Sequence, residues 1–220
     1  MFNGFCEETG TFMRELLFNN ERPWFLAHKE EYETFLNKPY KALAAETLDQ
    51  MLVRYPDSQF SVKTTRIYRD ARRLFGRGPY KENLWFSIKP AEDEYEGPAF
   101  WFEISPFTYS YGMGCYSDAH MMEQYRAAID ANPAAFERIA AKMSRLRGFE
   151  ISGEEYKKKK GNYTGYTAQW YNRRHIGLMC RNDFGGDLFS PDLPKILADA
   201  YSSTMPMFEF LLGVYRNTAK

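Results

Sequence analysis

Histidine and cysteine are scarce in this chain, three of each in 220 residues. Cys6, Cys115 and Cys180 are odd in number and far apart, so they suit buried thiols in a reducing compartment and not a disulfide framework. Without an H-E-x-x-H pattern or paired cysteines there is no recognisable zinc site, and no metal or cofactor is expected. Net charge is missing too: 29 Lys plus Arg balance 29 Asp plus Glu. No global field therefore draws the chain to nucleic acid or to a membrane surface. No apolar run approaches the roughly 18 residues of a spanning helix, and the opening MFNGFCEETG has neither the basic nor the apolar region of a signal peptide. These absences give the expectation of a soluble, cytoplasmic protein, with nucleic acid and membrane set aside as partners and oligomeric state left open.

What is abundant is aromatic. Eighteen Phe, 16 Tyr and 4 Trp make 17% of the chain, within an ordinary 44% hydrophobic content. The core should be built on large rings, and many phenols will need hydrogen-bond partners. At this length the chain is expected to form one domain.

Spacing predicts a first helix over Thr9–Phe18, with Phe12, Leu16 and Leu17 on one stripe and Glu7 and Glu8 at its start. Asn20 is expected to cap a second helix that has Pro23 in its first turn and runs to about Leu36. A third begins at Pro39 and closes at Tyr55-Pro56. The period then changes. Val62–Tyr68, Leu84–Lys89, Ala99–Ser105 and Thr108–Gly112 read as strands, and Gly112-Met113-Gly114 as a turn or bulge. Glu92–Glu96 reads as an acidic hairpin tip and Lys157–Lys160 as a solvated turn. Helices follow over Asp118–Ala131 and Pro133–Leu146, and a tail helix over Asp192–Val214 is expected to break near Pro206. The order places the chain in the α+β class: an N-terminal helical layer, a central, largely antiparallel sheet and C-terminal helices.

One segment departs from the charge balance. Ser61–Lys81 carries Lys63, Arg66, Arg69, Arg72, Arg73, Arg77 and Lys81 against Asp70 alone, a local net of +6. Arginine suits planar, bidentate capture of phosphate or carboxylate, and Gly76 and Gly78 allow tight turns that present backbone N–H groups. Three readings stay open: arginines bracing the loop through Asp70 and nearby acids, a small-anion site, or nucleic-acid contact. The last usually needs a more extended basic face.

Other constellations are weaker. Trp24 and Phe25 fit as packing residues, and His28 lies four residues after Trp24 on the same face, where a satisfied rim residue is the commoner outcome. Cys115, Asp118 and His120 together offer a thiol, an acid and a base, but Asp118 fits as a helix N-cap, and a nucleophile would need a depressed thiol pKa. The glycines of GMG lack both the strand–turn–helix context and the Lys-Ser/Thr of a phosphate loop.

Asn19, Asn20, Trp24, Phe25, Lys29 and Tyr32, then Arg66, Arg69, Asp70, Arg72, Pro79, Tyr80 and Lys81, then Gly112 and Gly114 together resemble the DUF2461 family of conserved hypothetical proteins. The resemblance spans roughly residues 2 to 215, with its specific motifs in the first half. Where that family tends to read R-F-S-x-D-K, this chain has Arg73-Leu74-Phe75-Gly76-Arg77-Gly78, without the acid–lysine pair. The position of Cys115 is usually apolar there, and Tyr156–Gly186 is less like the family than the rest. The resemblance implies a single α+β domain of bacterial type and names no reaction.

The leading expectation is a domain that binds a small phosphate- or carboxylate-bearing anion through Arg66, Arg69, Arg72 and Lys81. Asp70 would orient the guanidiniums, Tyr68 and Tyr80 would supply a wall, and Trp24 and His28 would lie alongside. The alternatives are an enzyme on such a substrate, with His28, Tyr80 or Asp70 as proton carrier, and a protein-interaction module in which the loop is purely structural. No catalytic residue is assigned.

Overall fold

A computed structural model of the chain describes residues 1–92, 97–115 and 117–218. The helices are α1 (Glu7–Phe18), α2 (Arg22–Ala27), α3 (Lys29–Glu31), α4 (Lys38–Arg54), α5 (Ala119–Ala131), α6 (Pro133–Met143), α7 (Gly165–Tyr171) and α8 (Leu193–Thr218). The strands are β1 (Phe60–Thr64), β2 (Leu84–Pro90), β3 (Pro98–Ile104), β4 (Thr108–Cys115), β5 (Phe149–Ser152) and β6 (Ile176–Asp183). They form a largely antiparallel sheet in the order β1-β2-β3-β4-β6-β5. In register, Phe60 faces Pro90 and Thr64 faces Phe86, while Phe149 faces Cys180. The chain is α+β. The acidic tip expected at Glu92–Glu96 lies, from Asp93 onward, outside the described residues.

The chain divides into two units. The first takes Met1–Pro90, Phe102–Ser110 and Asn182–Ala198. Its core is a chain of rings: Phe5 stacks on Phe102 at 6.5 Å, Phe102 on Phe86 at 5.3 Å, and Phe25 meets Phe12 at 6.4 Å and Tyr32 at 5.1 Å. Such pairs add about 1 kcal/mol each beyond the area they bury. From α2 to α4 the chain is almost continuously helical, because a π-helical turn, Tyr32–Asn37, joins α3 to α4. Pro39 has no N–H to return to the carbonyl of Phe35, four residues back. The Thr9 hydroxyl of α1 donates to that carbonyl at 2.6 Å instead, which ties α1 to the irregular turn.

The second unit takes Ala91–Trp101, Tyr111–Arg181 and Asp199–Lys220. Phe100 stacks between Tyr201 and Phe208, at 5.0 and 4.3 Å, and the Tyr201 phenol donates to the Trp101 carbonyl at 2.9 Å.

Four local expectations are corrected. Asn20 does not cap α2; Glu21 holds the cap position and no side chain bonds there. The strand expected to reach Tyr68 ends at Thr64, where the chain leaves the sheet to form the arginine loop. Gly112-Met113-Gly114 is no turn, since β4 runs through it to Cys115. Gly112 is glycine because a Cβ there would collide with the carbonyl of Leu178 on the neighbouring β6. The tail helix does not break at Pro206: α8 passes through it, held by buried Met207, Phe208 and Leu211 around the missing hydrogen bond. Three elements went unread in the divergent stretch and just before it, namely β5, α7 and β6. There Glu137 of α6 stands in for the usual local N-cap of α7, accepting from Tyr166 N (3.1 Å), Thr167 N (2.8 Å) and the Thr167 hydroxyl (2.6 Å).

Candidate functional site

β1 and β2 are joined not by a tight hairpin but by residues 65–83. A connection of that length in a folded domain is uncommon without a function of its own. Its exit from the sheet is fixed by Tyr40 of α4, whose phenol donates to Trp85 O at 2.5 Å and accepts from Thr65 N at 3.0 Å. Burial accordingly pushes the Tyr40 pKa up.

The loop is a stalk with a tip. In the stalk Tyr68 bridges Tyr80, Arg69 N donates to Pro79 O at 2.8 Å, and Lys81 N donates to Ile67 O at 2.7 Å. Ile67 is buried, and the Tyr80 ring stacks on Phe25 at 4.0 Å. Asn20 clamps the stalk from the segment between α1 and α2: its amide donates to Tyr80 O at 3.0 Å and accepts from Tyr80 N at 2.9 Å. Gly78 is needed beside it, because a Cβ there would drive into Asn20. At the tip Asp70 caps a short turn, Ala71–Arg73. Phe75 (φ 47°) and Gly76 (φ 78°) turn the chain back, with the Phe75 ring 83% exposed.

The cations divide by what they reach. Arg69 is a brace: its side chain is only 13% exposed, Nε donates to Tyr80 O at 2.8 Å, and Nη2 meets Glu82 Oε1 at 3.2 Å. Arg72 is held by Asp70, which accepts from its backbone N–H (3.0 Å), Nε (3.1 Å) and Nη2 (2.8 Å). That pair raises the pKa of Arg72, though the guanidinium is 88% exposed. Arg77 closes the tip through the Leu74 carbonyl at 3.4 Å.

Arg66 and Lys81 differ from these. Neither side chain makes a hydrogen bond or ion pair to any described residue. Partial burial, then the charges of Arg66 and Arg69, push the Lys81 pKa down. An ammonium near two guanidiniums, with no carboxylate paired to it among the described residues, gives a focus of positive potential. An anion placed there would relieve it.

The other expected site residues make contacts of their own. Trp24 and His28 stack at 4.1 Å on the flank of α2, and Trp24 also meets Phe12 at 5.8 Å. His28 Nδ1 lies 2.8 Å from the Trp24 carbonyl, which can only accept, so Nδ1 donates. Among the described residues no hydrogen bond or ring contact joins either one to the loop cations. The Tyr80 ring is 2% exposed and taken by Phe25, so Tyr68, 49% exposed, is the ring the stalk presents. Burial raises the Tyr80 pKa, Tyr68 adds to the rise, and Arg22 opposes it.

Arg22 therefore acts on Tyr80, and reading outward from the +6 segment missed it. Its one signal was adjacency to the Asn19-Asn20 pair. Cys115 is pushed up to about 12 by burial, against the thiolate a nucleophile needs, and Asp118 caps α5 by accepting from Met121 N at 2.7 Å. The described residues contain no group of His, Cys, Asp and Glu able to hold a metal ion, and no helix among them is long and apolar enough to cross a membrane.

A comparison with curated proteins returns no match. Asn20, which clamps the stalk, the Arg66–Lys81 block and the close-approach glycine of β4 all fall within residues 8–210, which match one family model described as conserved hypothetical protein. By that match over nearly its whole length, the chain belongs to the DUF2461 family.

Proposed function

We propose that this chain binds a small anion bearing phosphate or carboxylate on the arginine loop. Arg66 and Lys81 are the main donors, Arg72 is an outer donor steered by Asp70, and Arg69 sets the geometry. The observation that carries this reading is Lys81, partly buried, crowded by two guanidiniums and without a carboxylate partner among the described residues. A loop that only braced itself would pair its half-buried cations, as Arg69 is paired. Tyr68 offers a ring beside the focus. Binding fits better than proton transfer, because Asp70 is engaged by Arg72, the Tyr80 pKa is raised and His28 stacks elsewhere. A reducing, cytoplasmic setting suits a chain whose three cysteines are all unbridged.

The test is a thermal-shift screen against phosphate, sulfate, sugar phosphates, nucleotides and dicarboxylates, run on the wild type and on Arg66→Ala and Lys81→Met. A ligand at 100 times its Kd adds about 2.7 kcal/mol, or roughly 5–11 °C for a chain of this size. The expected result is a selective shift that both variants lose while remaining folded. A shift that survives in both variants, or no shift from any anion, overturns the proposal.

A further inference from the structure

A second cluster of cations lies wholly in the other unit and does not rest on the arginine loop. Three charges converge on the half-buried ring of Tyr156: Lys160 Nζ at 4.7 Å from its centroid, Arg126 Cζ at 5.2 Å and Arg174 Cζ at 5.5 Å. All three are within cation–π range of one ring. The turn that carries Lys157–Lys160 is pinned at both ends by Asn172: Tyr156 N donates to its carbonyl at 2.8 Å and Lys160 N to its Oδ1 at 2.7 Å. The lysine turn is thus a built feature and not just a solvated stretch of chain.

Arg126 is fixed. Its guanidinium donates to three backbone carbonyls, Met122 (3.0 Å), Arg173 (3.2 Å) and Tyr171 (3.3 Å), and meets no carboxylate among the described residues. Lys160 likewise has none; Arg174 has the exposed Glu154 at 3.4 Å. Lys157, Lys158 and Lys159 stand exposed on the same turn. A guanidinium immobilised by carbonyls keeps its full charge. Among the described residues Glu154 is the one carboxylate paired to the three cations on this ring, which leaves an excess of positive charge that an anion would balance.

We propose that this cage binds a compact polyphosphate group, two or more adjacent phosphates, whose closely spaced negative charges match three cations held around a single ring. A diffuse polyelectrolyte surface would instead use all the exposed lysines alike. The test is calorimetric titration with orthophosphate, tripolyphosphate, a nucleoside triphosphate and a 15-mer oligothymidylate. The proteins are the wild type, Lys160→Met, Arg174→Met, the Lys157→Met/Lys158→Met pair, and the loop variant Lys81→Met. All these residues are at least partly exposed, and circular dichroism verifies that each variant folds.

Expected is tripolyphosphate binding at least tenfold tighter than orthophosphate. Lys160→Met or Arg174→Met should lose about tenfold, in line with one charge-assisted contact. The Lys157→Met/Lys158→Met pair should lose under threefold, and Lys81→Met should remove only the heat of the loop site while this cluster keeps its tripolyphosphate affinity. Equal binding of inorganic tripolyphosphate and nucleoside triphosphate would assign recognition to the phosphates alone; a preference for the latter would add a base contact to the same cage. The proposal is overturned by equal losses across all the lysines, by an oligonucleotide preferred over tripolyphosphate, or by no binding at low salt.

Discussion

Asn20 offers the sharpest test of how the arginine loop is held. Its side chain makes two hydrogen bonds, to the N–H and the C=O of Tyr80, across sixty residues of sequence. Asn20→Ala removes both, but the two losses are unequal. The Tyr80 carbonyl still accepts from Arg69 Nε at 2.8 Å, whereas no other partner for the Tyr80 N–H is seen among the described residues. Leaving a part-buried donor unmade costs about 1–3 kcal/mol, and the lost second bond about 0.5 more. The expected destabilisation is therefore about 1.5–3.5 kcal/mol. Asn20→Asp keeps an acceptor for the N–H but sets a carboxylate against the Tyr80 carbonyl, and should cost about half as much. Urea unfolding at pH 7 reads both as a lower midpoint at unchanged slope. Gly78→Ala pushes into the same side chain and into the Asn20 carbonyl, so part of its cost, at least about 0.5 kcal/mol, should disappear in the Asn20→Ala background while the backbone clash remains. An Asn20→Ala protein within about 0.5 kcal/mol of wild type would refute the clamp, and with it the claim that the stalk is rigid.

Arg69→Ala should cost about 2 kcal/mol, since it strips charge-assisted bonds from a side chain that is 13% exposed. Arg72→Ala, 88% exposed, should leave the unfolding midpoint close to that of the wild type in the same assay. Lys81→Met should stabilise the unliganded protein by about 0.5 kcal/mol at pH 7 by relieving like-charge crowding, while abolishing anion binding. The sign with pH is set by its lowered pKa. Between that value and the ordinary 10.5 the unfolded chain holds the extra proton, so wild-type stability has a rising component there that the variant lacks. Tyr125 behaves oppositely: burial raises its pKa well above 10.0, so its contribution is full below 10.0 and is lost as pH climbs past it. Its buried hydroxyl has no hydrogen-bond partner among the described residues, so Tyr125→Phe should gain about 1 kcal/mol and flatten the alkaline loss.

Elements whose signal is local were legible in the sequence. The α1 stripe, the Asp118 cap and the alternating β3 all follow from spacing and capping chemistry. What escaped depends on partners distant in sequence. Gly112 looks like a turn residue until the Leu178 carbonyl is seen against it. Pro206 looks like a helix end until the buried side chains around it are counted in the balance. Asn20 has the residue type of a cap, and Tyr80 claims it first. The lysine run at 157–160 has the composition of solvated chain; only Asn172, twelve residues beyond Lys160, makes it a fixed turn.

The arginine loop shows the same limit for function. Its cations share one composition but are told apart by the acceptor each reaches: a carbonyl and Glu82 for Arg69, Asp70 for Arg72, and nothing described for Arg66 and Lys81. Glu82 follows Lys81 directly in sequence, yet its carboxylate pairs with Arg69. It is thus the counter-charge that keeps the focus from being more positive still. Glu82→Gln removes that charge and leaves Arg69 anchored on the Tyr80 carbonyl. The exposed pair it breaks is worth at most about 1 kcal/mol, so stability should fall little. The same magnitude should appear with opposite sign in binding, as an affinity for the small anion about two- to fivefold higher at low salt. That gain should fade as ionic strength rises toward 0.15 M and above. Titration of the best anion from the thermal-shift screen, at two salt concentrations, measures it. If affinity is unchanged or weaker in Glu82→Gln, the anion does not sit where Arg66, Arg69 and Lys81 converge.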